Sequence, residues 1–270
     1  MNILDKDYIS SIKQEGHMEF SKSIIEGVEI KLCRNHPHAY KPHVHNELSL
    51  GYIVEGSTDL TLKDRTIHYG SGDGVVIPPL MTHRCAPNDI NHWAYVMLFV
   101  DPSYYSDSVN FSHAKKLTGN QIRKLIGFIE QLLTEKIPDT LENILIELLL
   151  EFGEKDITDT TAASTSYIVK TIHDYILNHV NDDITLDKLE QISGLNKFSI
   201  IRNFKKLYTT TPAAYHLQYR VAEAKRLLSK GVDVFAICEE LRFYDQAHLI
   251  REFKKMYGIT PGTYIEQVKV

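Results

Sequence analysis

IRNFKKLYTTTPAAY at Ile201–Tyr215 and IREFKKMYGITPGTY at Ile250–Tyr264 are one pattern written twice, without a gap, at an offset of 49 residues. Ile, Arg, Phe, Lys, Lys, Tyr, Thr, Pro and Tyr recur in register. Upstream, LEQISGLNKFS (Leu189–Ser199) and ICEELRFYDQAHL (Ile237–Leu249) match at an offset of 48, so the second copy carries one extra residue in its turn. Self-similarity at a fixed period marks one supersecondary unit made twice.

Each copy reads as helix, short turn, longer helix. In the first, Asp183 and Thr185 offer N-caps, Leu186, Leu189 and Ile192 form an apolar stripe, and Gly194 breaks the helix. A second helix begins near Asn196. Ile200, Phe204 and Leu207 recur at i, i+4 and i+7 and turn inward, which leaves Lys197, Ile201, Arg202, Lys205 and Lys206 mostly outward. The second copy repeats this with Val234, Ile237 and Leu241, then Asp245 as N-cap and Leu249, Phe253 and Met256 inward. Gln246, Ala247, His248, Ile250, Arg251, Lys254 and Lys255 are left outward. Helix, turn and basic helix is the helix-turn-helix arrangement that fits the major groove of B-DNA.

R-x-F-K-K-x-Y-x-x-T-P-x-x-Y, present twice around the central RVAEAKRLL, resembles the DNA-binding domain of the AraC/XylS family of bacterial transcription regulators. The resemblance covers about the last hundred residues. It implies that Pro212–Ser229, with Arg220, Ala224, Leu227 and Leu228 matching the family, is a linker helix holding two recognition helices about 34 Å apart in successive major grooves. It also implies base contacts from Phe198, Ile201 and Arg202 in the first unit and from Gln246, Ala247, His248 and Arg251 in the second. Arg forks onto guanine, Gln onto adenine, and apolar groups meet thymine methyls. Lys197, Lys206 and Lys255 are expected to add phosphate contacts, which position the protein without specifying sequence. The chain departs from the family pattern at Glu190, commonly a small residue, and at Thr209 and Arg242, commonly glycine.

Charge agrees with this division. Residues 1–164 hold 15 Lys and Arg against 23 Asp and Glu, whereas residues 165–270 hold 15 against 12. Nucleic acid is therefore expected at the second half. With 270 residues, 43% hydrophobic and 24% charged, the composition is that of a globular protein of about two domains, and disordered and fibrous classes are excluded. Met1–Ser10 has no apolar core of a secretion signal and no apolar run approaches membrane-spanning length, so a cytoplasmic protein without a membrane partner is expected. Cys33, Cys85 and Cys238 lie far apart and form no C-x-x-C, which reads as buried thiols in a reducing compartment.

The first half reads as short strands, VEIKLC, ELSLGYIV, TDLTLK, RTIHYG, DGVVIPP and HWAYVMLFV, separated by Gly, Pro, Asn and Asp, which indicates a sandwich or barrel. His43, His45 and Glu47 alternate, and on a strand they would share one face, with the small Ser49 and Gly51 leaving room beside them. Two imidazoles and a carboxylate, completed by His83 after the Pro78-Pro79 turn, are a ligand set for a divalent metal; the competing reading is a polar, water-lined mouth of hydrogen-bonded histidines. Trp93 and Tyr95 either pack in the core or join these four residues as a ligand wall. The region resembles the cupin barrel, whose metal-binding members carry H-x-H, then Glu, then a later His; here the Glu follows only two residues after His45.

Helical spacing then takes over, with Ile122, Leu125, Ile126, Ile129, Leu132 and Leu133 in one helix and Leu141, Ile144, Leu145, Leu148 and Leu149 in the next. This αα-hairpin is expected to pack on the barrel and to form a homodimer contact. The expected architecture is α+β: a cupin-like sensor barrel at 1–112, a helical hairpin at 113–153, a linker at 154–165 and a double helix-turn-helix domain at 166–270. The expected function is sequence-specific transcription regulation, without enzyme activity, with partners in an operator duplex, a small-molecule effector, a second copy and RNA polymerase. The rival reading is a metal-dependent cupin enzyme, carried by His43, His45, Glu47 and His83, tethered to a DNA-binding module.

Overall fold

The computed structural model describes residues 16–36, 41–105, 109–134, 138–154 and 164–268. Among the described residues nine strands, β1 (His17–Lys22), β2 (Val28–Arg34), β3 (Leu48–Glu55), β4 (Ser57–Thr61), β5 (Thr66–Gly70), β6 (Gly74–Ile77), β7 (Arg84–Pro87), β8 (Ala94–Val100) and β9 (Lys115–Lys116), form two sheets. The larger has the order β1-β2-β8-β3-β6-β9 and the smaller β5-β4-β7, all pairings being antiparallel.

Both faces of the large sheet are covered, so its long strands β2, β3 and β8 are buried at nearly every position. The period of two still decides which core each side chain enters. Val28, Ile30 and Leu32 of β2, Leu48 and Leu50 of β3, and Val96, Leu98 and Val100 of β8 pack on the hairpin of α1 (Gly119–Thr134) and α2 (Pro138–Phe152), meeting Leu125, Phe128, Ile129, Leu145, Leu148 and Phe152. Cys33, Ile53, Tyr95 and Phe99 face the opposite way, into a second core shared with the C-terminal helices. The hairpin thus buries its main stripe on the barrel, yet Ile146 and Leu150, one turn apart on α2, stay 42% and 55% exposed. The linker expected at 154–165 lies, apart from its ends, outside the described residues. The three cysteines are free thiols, Cys33 and Cys238 buried and Cys85 half-buried.

The C-terminal part comprises α3 (Ser164–Asn178), α4 (Leu186–Ser193), α5 (Lys197–Tyr208), α6 (Pro212–Ser229), α7 (Val234–Glu240), α8 (Gln246–Tyr257) and α9 (Pro261–Val268). The repeat has a direct structural meaning. In T-P-x-x-Y the Thr caps a helix, Thr211 Oγ1 accepting from Ala214 N–H and Thr260 Oγ1 from Thr263 N–H. The Pro takes the first helical position, where no N–H is needed. The Tyr, Tyr215 or Tyr264, is then carried one turn on into the core, at 0% and 1% exposure. Thr185, Asn196, Asp233 and Asp245 cap α4, α5, α7 and α8 in the same manner.

The departures from the family pattern find their physical meaning at the helix ends. Both turns of each unit need a left-handed residue: Gly194 (φ 68°) and its counterpart Arg242 (φ 51°), Thr209 (φ 60°) and its counterpart Gly258 (φ 86°). Each turn has glycine in one copy and a strained side chain in the other. A β-branched residue is the worst choice there, so Thr209→Gly is expected to stabilise the protein by about 0.5 to 1 kcal/mol, the strain relieved less the extra entropy of glycine. A thermal melt with no gain would show that the strain is absorbed elsewhere. The third departure, Glu190, is half-buried in the middle of α4, where its carbonyl accepts from the Gly194 N–H that caps the helix.

Candidate functional site

The outward faces of α5 and α8 carry the residues expected to meet DNA. Phe198 is 88% exposed at the start of α5, and Arg202 and Lys206 continue its exposed face, while Ile201 is half-buried. Lys197 pairs with Asp187 of α4, and that contact raises its pKa. On α8, Gln246, Ala247, Arg251 and Lys255 are exposed, and His248 is half-buried with its ring 5.6 Å from that of Phe243. Ile250, 39% exposed, lies among them. Arg251 and Lys255 both approach Glu252, at 3.4 and 2.6 Å. Arg202 has no ion pair among the described residues. The inner faces are buried as the spacing requires, with Ile200, Phe204, Leu249 and Phe253 at 0% and Met256 at 5%. One residue escaped the sequence reading: Tyr244, 91% exposed immediately before the Asp245 cap. Its neighbour Phe243 is buried at 6%, and adjacent aromatics in a turn carry no periodicity that says which one turns outward.

Beneath the helices the barrel encloses a cavity of about 70 Å³, room for about five waters or one small organic molecule. Its wall includes Lys31, His43, His45, His83, Trp93 and Tyr95 from the barrel, and Met256 and Tyr257 from the end of α8. The second helix-turn-helix unit is therefore part of the chamber wall. Gly51 does not leave the room expected of it: Val75 and Met97 fill the space a Cβ would take, at 2.7 and 2.8 Å.

Three of the four expected metal-ligand residues converge. His43 and His83 form an isolated antiparallel bridge, exchanging N–H···O bonds of 3.0 Å in both directions. Ring nitrogens of His43, His45 and His83, one from each, lie within 4.8 Å of one another. Each Nδ1 sits within 2.8 to 2.9 Å of a backbone carbonyl two residues away, of Lys41, Glu47 and Met81 respectively. A carbonyl only accepts, so each Nδ1 carries the proton and each Nε2 the lone pair. Burial pushes all three imidazoles down, His83 to about 4, and for His43 and His45 the neighbouring His83 depresses them further, so the cluster is neutral at physiological pH.

Glu47 is not part of this cluster. The expected strand starts only at Leu48, and residues 46 and 47 are a bend, so the alternation that would have put Glu47 beside His45 is broken. Its Oε1 instead accepts from Lys225 Nζ of α6 at 2.8 Å. Lys225, 3% exposed, also meets Glu29 of β2 at 2.5 Å, and its ammonium lies 4.7 Å from the Phe99 ring centroid. Burial alone would lower the lysine pKa, but the two carboxylates override it and hold it well above its ordinary value. Lys31 shows the opposite balance, pushed down to about 8 by burial.

Further contacts seat the helical part on the barrel. The two repeat tyrosines both reach across, Tyr215 Oη donating to Leu80 O at 3.3 Å and Tyr264 Oη to Glu29 at 2.6 Å. Gln218 donates to Pro42 O, and Gln267 pairs with Phe20 N–H and Met18 O on the edge strand β1. Val44, at 0% exposure, sits in the core of the first helix-turn-helix unit with Ile172, Phe204 and Tyr215.

Among the described residues no helix is long and apolar enough to cross a membrane. The family described as AraC-like ligand binding domain matches residues 28–165, and that described as helix-turn-helix domain matches residues 189–267. The chain is 26% identical over 223 residues to YbfI of Bacillus subtilis, an HTH-type transcriptional regulator, covering 76% of this chain and 80% of that one. It is 23% identical over 233 residues to the MmsAB operon regulatory protein of Pseudomonas aeruginosa, covering 80% and 73%. The fold is similar to that of apo ToxT from Vibrio cholerae strain SCE256, with a TM-score of 0.62 at 10% identity over 92% of this chain and 100% of that one. A duplicated, capped helix-turn-helix with basic outer faces, joined to a ligand-binding barrel and matched by both family descriptions, makes this chain a member of the AraC family of transcription regulators.

Proposed function

We propose that the protein binds a specific operator through α5 and α8 and that a small molecule in the barrel chamber sets how those helices are presented. The observation that carries this reading is the chamber wall itself: Met256 and Tyr257 belong to the same helix as Gln246 and Arg251. A ligand touching one end of α8 therefore acts on the element that reads DNA at the other. An effector shifts an equilibrium only by its differential affinity for two states, and a shared helix supplies that difference.

Phe198, Ile201 and Arg202 are assigned to the first half-site, Gln246, Ala247, His248 and Arg251 to the second, and Lys197, Lys206 and Lys255 to phosphates. Arg202→Ala is expected to cost about 1 to 3 kcal/mol on the selected operator and to relax discrimination at one base pair. Equal loss on random duplexes would assign Arg202 to phosphate instead. His43, His45, His83, Trp93 and Tyr95 line the sensor, whereas Glu47 serves the docking of α6.

The proposed division is a sensor at 1–112, a hairpin at 113–153, a linker at 154–165 and a DNA-binding domain at 166–270. Exposed Ile146 and Leu150 support a homodimer through α2. Light scattering is expected to report a dimer at micromolar concentration and a monomer for Ile146→Glu with Leu150→Glu; a wild-type monomer would overturn the assignment. The protein acts in the cytoplasm, where a bound dimer can meet RNA polymerase. The reading as a sensor and not an enzyme is favoured by the engagement of Glu47 with Lys225, which takes the carboxylate away from the histidines.

A further inference from the structure

The three-histidine cluster is more than a polar lining. At Nδ1 its three rings are held alike, each donating to a carbonyl two residues away in the chain, which fixes ring orientation as well as tautomer; His45 Nε2 also accepts from the Ser49 hydroxyl at 3.2 Å, a contact that an ion would displace. Metal-binding histidines are oriented by such bonds. A tetrahedral ion with metal–nitrogen bonds of about 2.1 Å needs donors about 3.4 Å apart. Ring nitrogens within 4.8 Å of one another reach that spacing by side-chain shifts of under about 1 Å.

The same residues are tied to the first DNA-binding unit and to α6, the helix that joins the two units. Between His43 and His45, Val44 is buried in the core of the first unit. His45 O accepts from Leu80 N–H, and Leu80 O accepts from Tyr215 Oη. His45 Nδ1 donates to the carbonyl of Glu47, whose carboxylate holds Lys225. Any contraction of the three rings pulls on residues 43–47 and 80–83, and so on the seat of α6.

We propose that His43, His45 and His83 bind one divalent transition-metal ion of the zinc class through their Nε2 atoms, and that its occupancy adjusts the docking of the helix-turn-helix pair on the barrel. The all-imidazole donor set selects a borderline ion such as zinc over magnesium or calcium, which prefer oxygen. All three histidines line the chamber, from which a fourth ligand would come. This inference rests on the barrel being the sensor of a DNA-binding regulator, and its test separates the two.

The full chain, stripped with a chelator, is titrated with Zn²⁺ against a chromogenic competitor and with Co²⁺ followed by absorption. One equivalent is expected, with the visible bands of four-coordinate cobalt and without the thiolate charge transfer that Cys33 or Cys85 would give. Trp93, the single tryptophan, lines the same chamber, so its fluorescence is expected to be quenched by that one equivalent of Co²⁺. Losing even a hydrogen-bond partner of a ligand costs about 10- to 100-fold in affinity, so His45→Ala and His83→Ala are each expected to lose at least 100-fold. His68→Ala and His92→Ala, at exposed positions, are expected to bind as the wild type does. No stoichiometric binding, or equal binding by the His83 variant, overturns the site. Should His83→Ala fail to fold, the wild-type cobalt spectrum decides, since octahedral or thiolate-ligated cobalt excludes three imidazoles in a tetrahedral site. Hydrogen exchange along α6 is expected to change on metal addition, and unchanged exchange overturns the coupling. A duplex selected with the stripped protein provides the separate control: if no duplex is bound in either state the regulator reading fails, whatever the metal does.

Discussion

Lys225→Met is expected to cost about 3 to 5 kcal/mol of stability, because it leaves Glu29 and Glu47 facing each other in a buried site with no cation between them. Methionine keeps most of the volume, so little of the loss comes from packing. The protein can escape the penalty by lifting α6 from the barrel, which would also free Tyr264 from Glu29 and let water reach both carboxylates. Two readouts are therefore paired: thermal unfolding for the cost and small-angle scattering for a rise in radius of gyration. Adding Glu29→Gln and Glu47→Gln is expected to recover most of the loss, since the penalty comes from the orphaned charges. A stability within about 1 kcal/mol of wild type for Lys225→Met alone would show that the cluster is solvated and contributes little.

The second large effect lies in the repeat. Phe204 and Phe253 occupy equivalent positions, both at 0% exposure and both against a repeat tyrosine, with ring centroids 5.7 Å from Tyr215 and 5.8 Å from Tyr264. Truncating either to alanine is expected to cost about 3 to 5 kcal/mol through lost contacts and a cavity. The consequences should differ. Phe204→Ala disturbs a core that contains Val44, whereas Phe253 belongs to the core continuous with the chamber face of the barrel. Hydrogen exchange is expected to show opening confined to α3–α6 in the first case and reaching β2, β3 and β8 in the second. Identical protection patterns would mean that the C-terminal helices and the barrel open as one body.

Local chemistry made most of the architecture readable in advance. The caps at Thr185, Asn196, Thr211, Asp233, Asp245 and Thr260 are short-range hydrogen bonds, so the residue type announces the helix start. The long strands β2, β3 and β8 follow from apolar runs between turn residues. Three short strands carry no clear signal in the sequence: β7 is only four residues and ends in Pro87, β9 has two residues, and β1 is an edge strand with mixed polarity. His43, His45 and His83 were marked as a group by residue type and spacing, and the fold brings them together. The alternation that would place Glu47 beside them is destroyed by the two-residue bend at 46–47.

The sequence by itself determined the duplicated unit, the helix faces that turn inward and the two-layered β domain, because periods of 3.6 and 2 specify which side of an element is apolar. Only the tertiary structure decided what covers each side. Lys225 stands in RVAEAKRLL, where a lysine reads as a solvated charge, and it is buried because Glu29 and Glu47, the latter 178 residues away, arrive on the other side of it. Val44 reads as a link between two histidines and becomes a core residue of the first helix-turn-helix unit. Pairings of that kind depend on how whole domains dock, and no local pattern of polarity encodes a partner that distant in the chain.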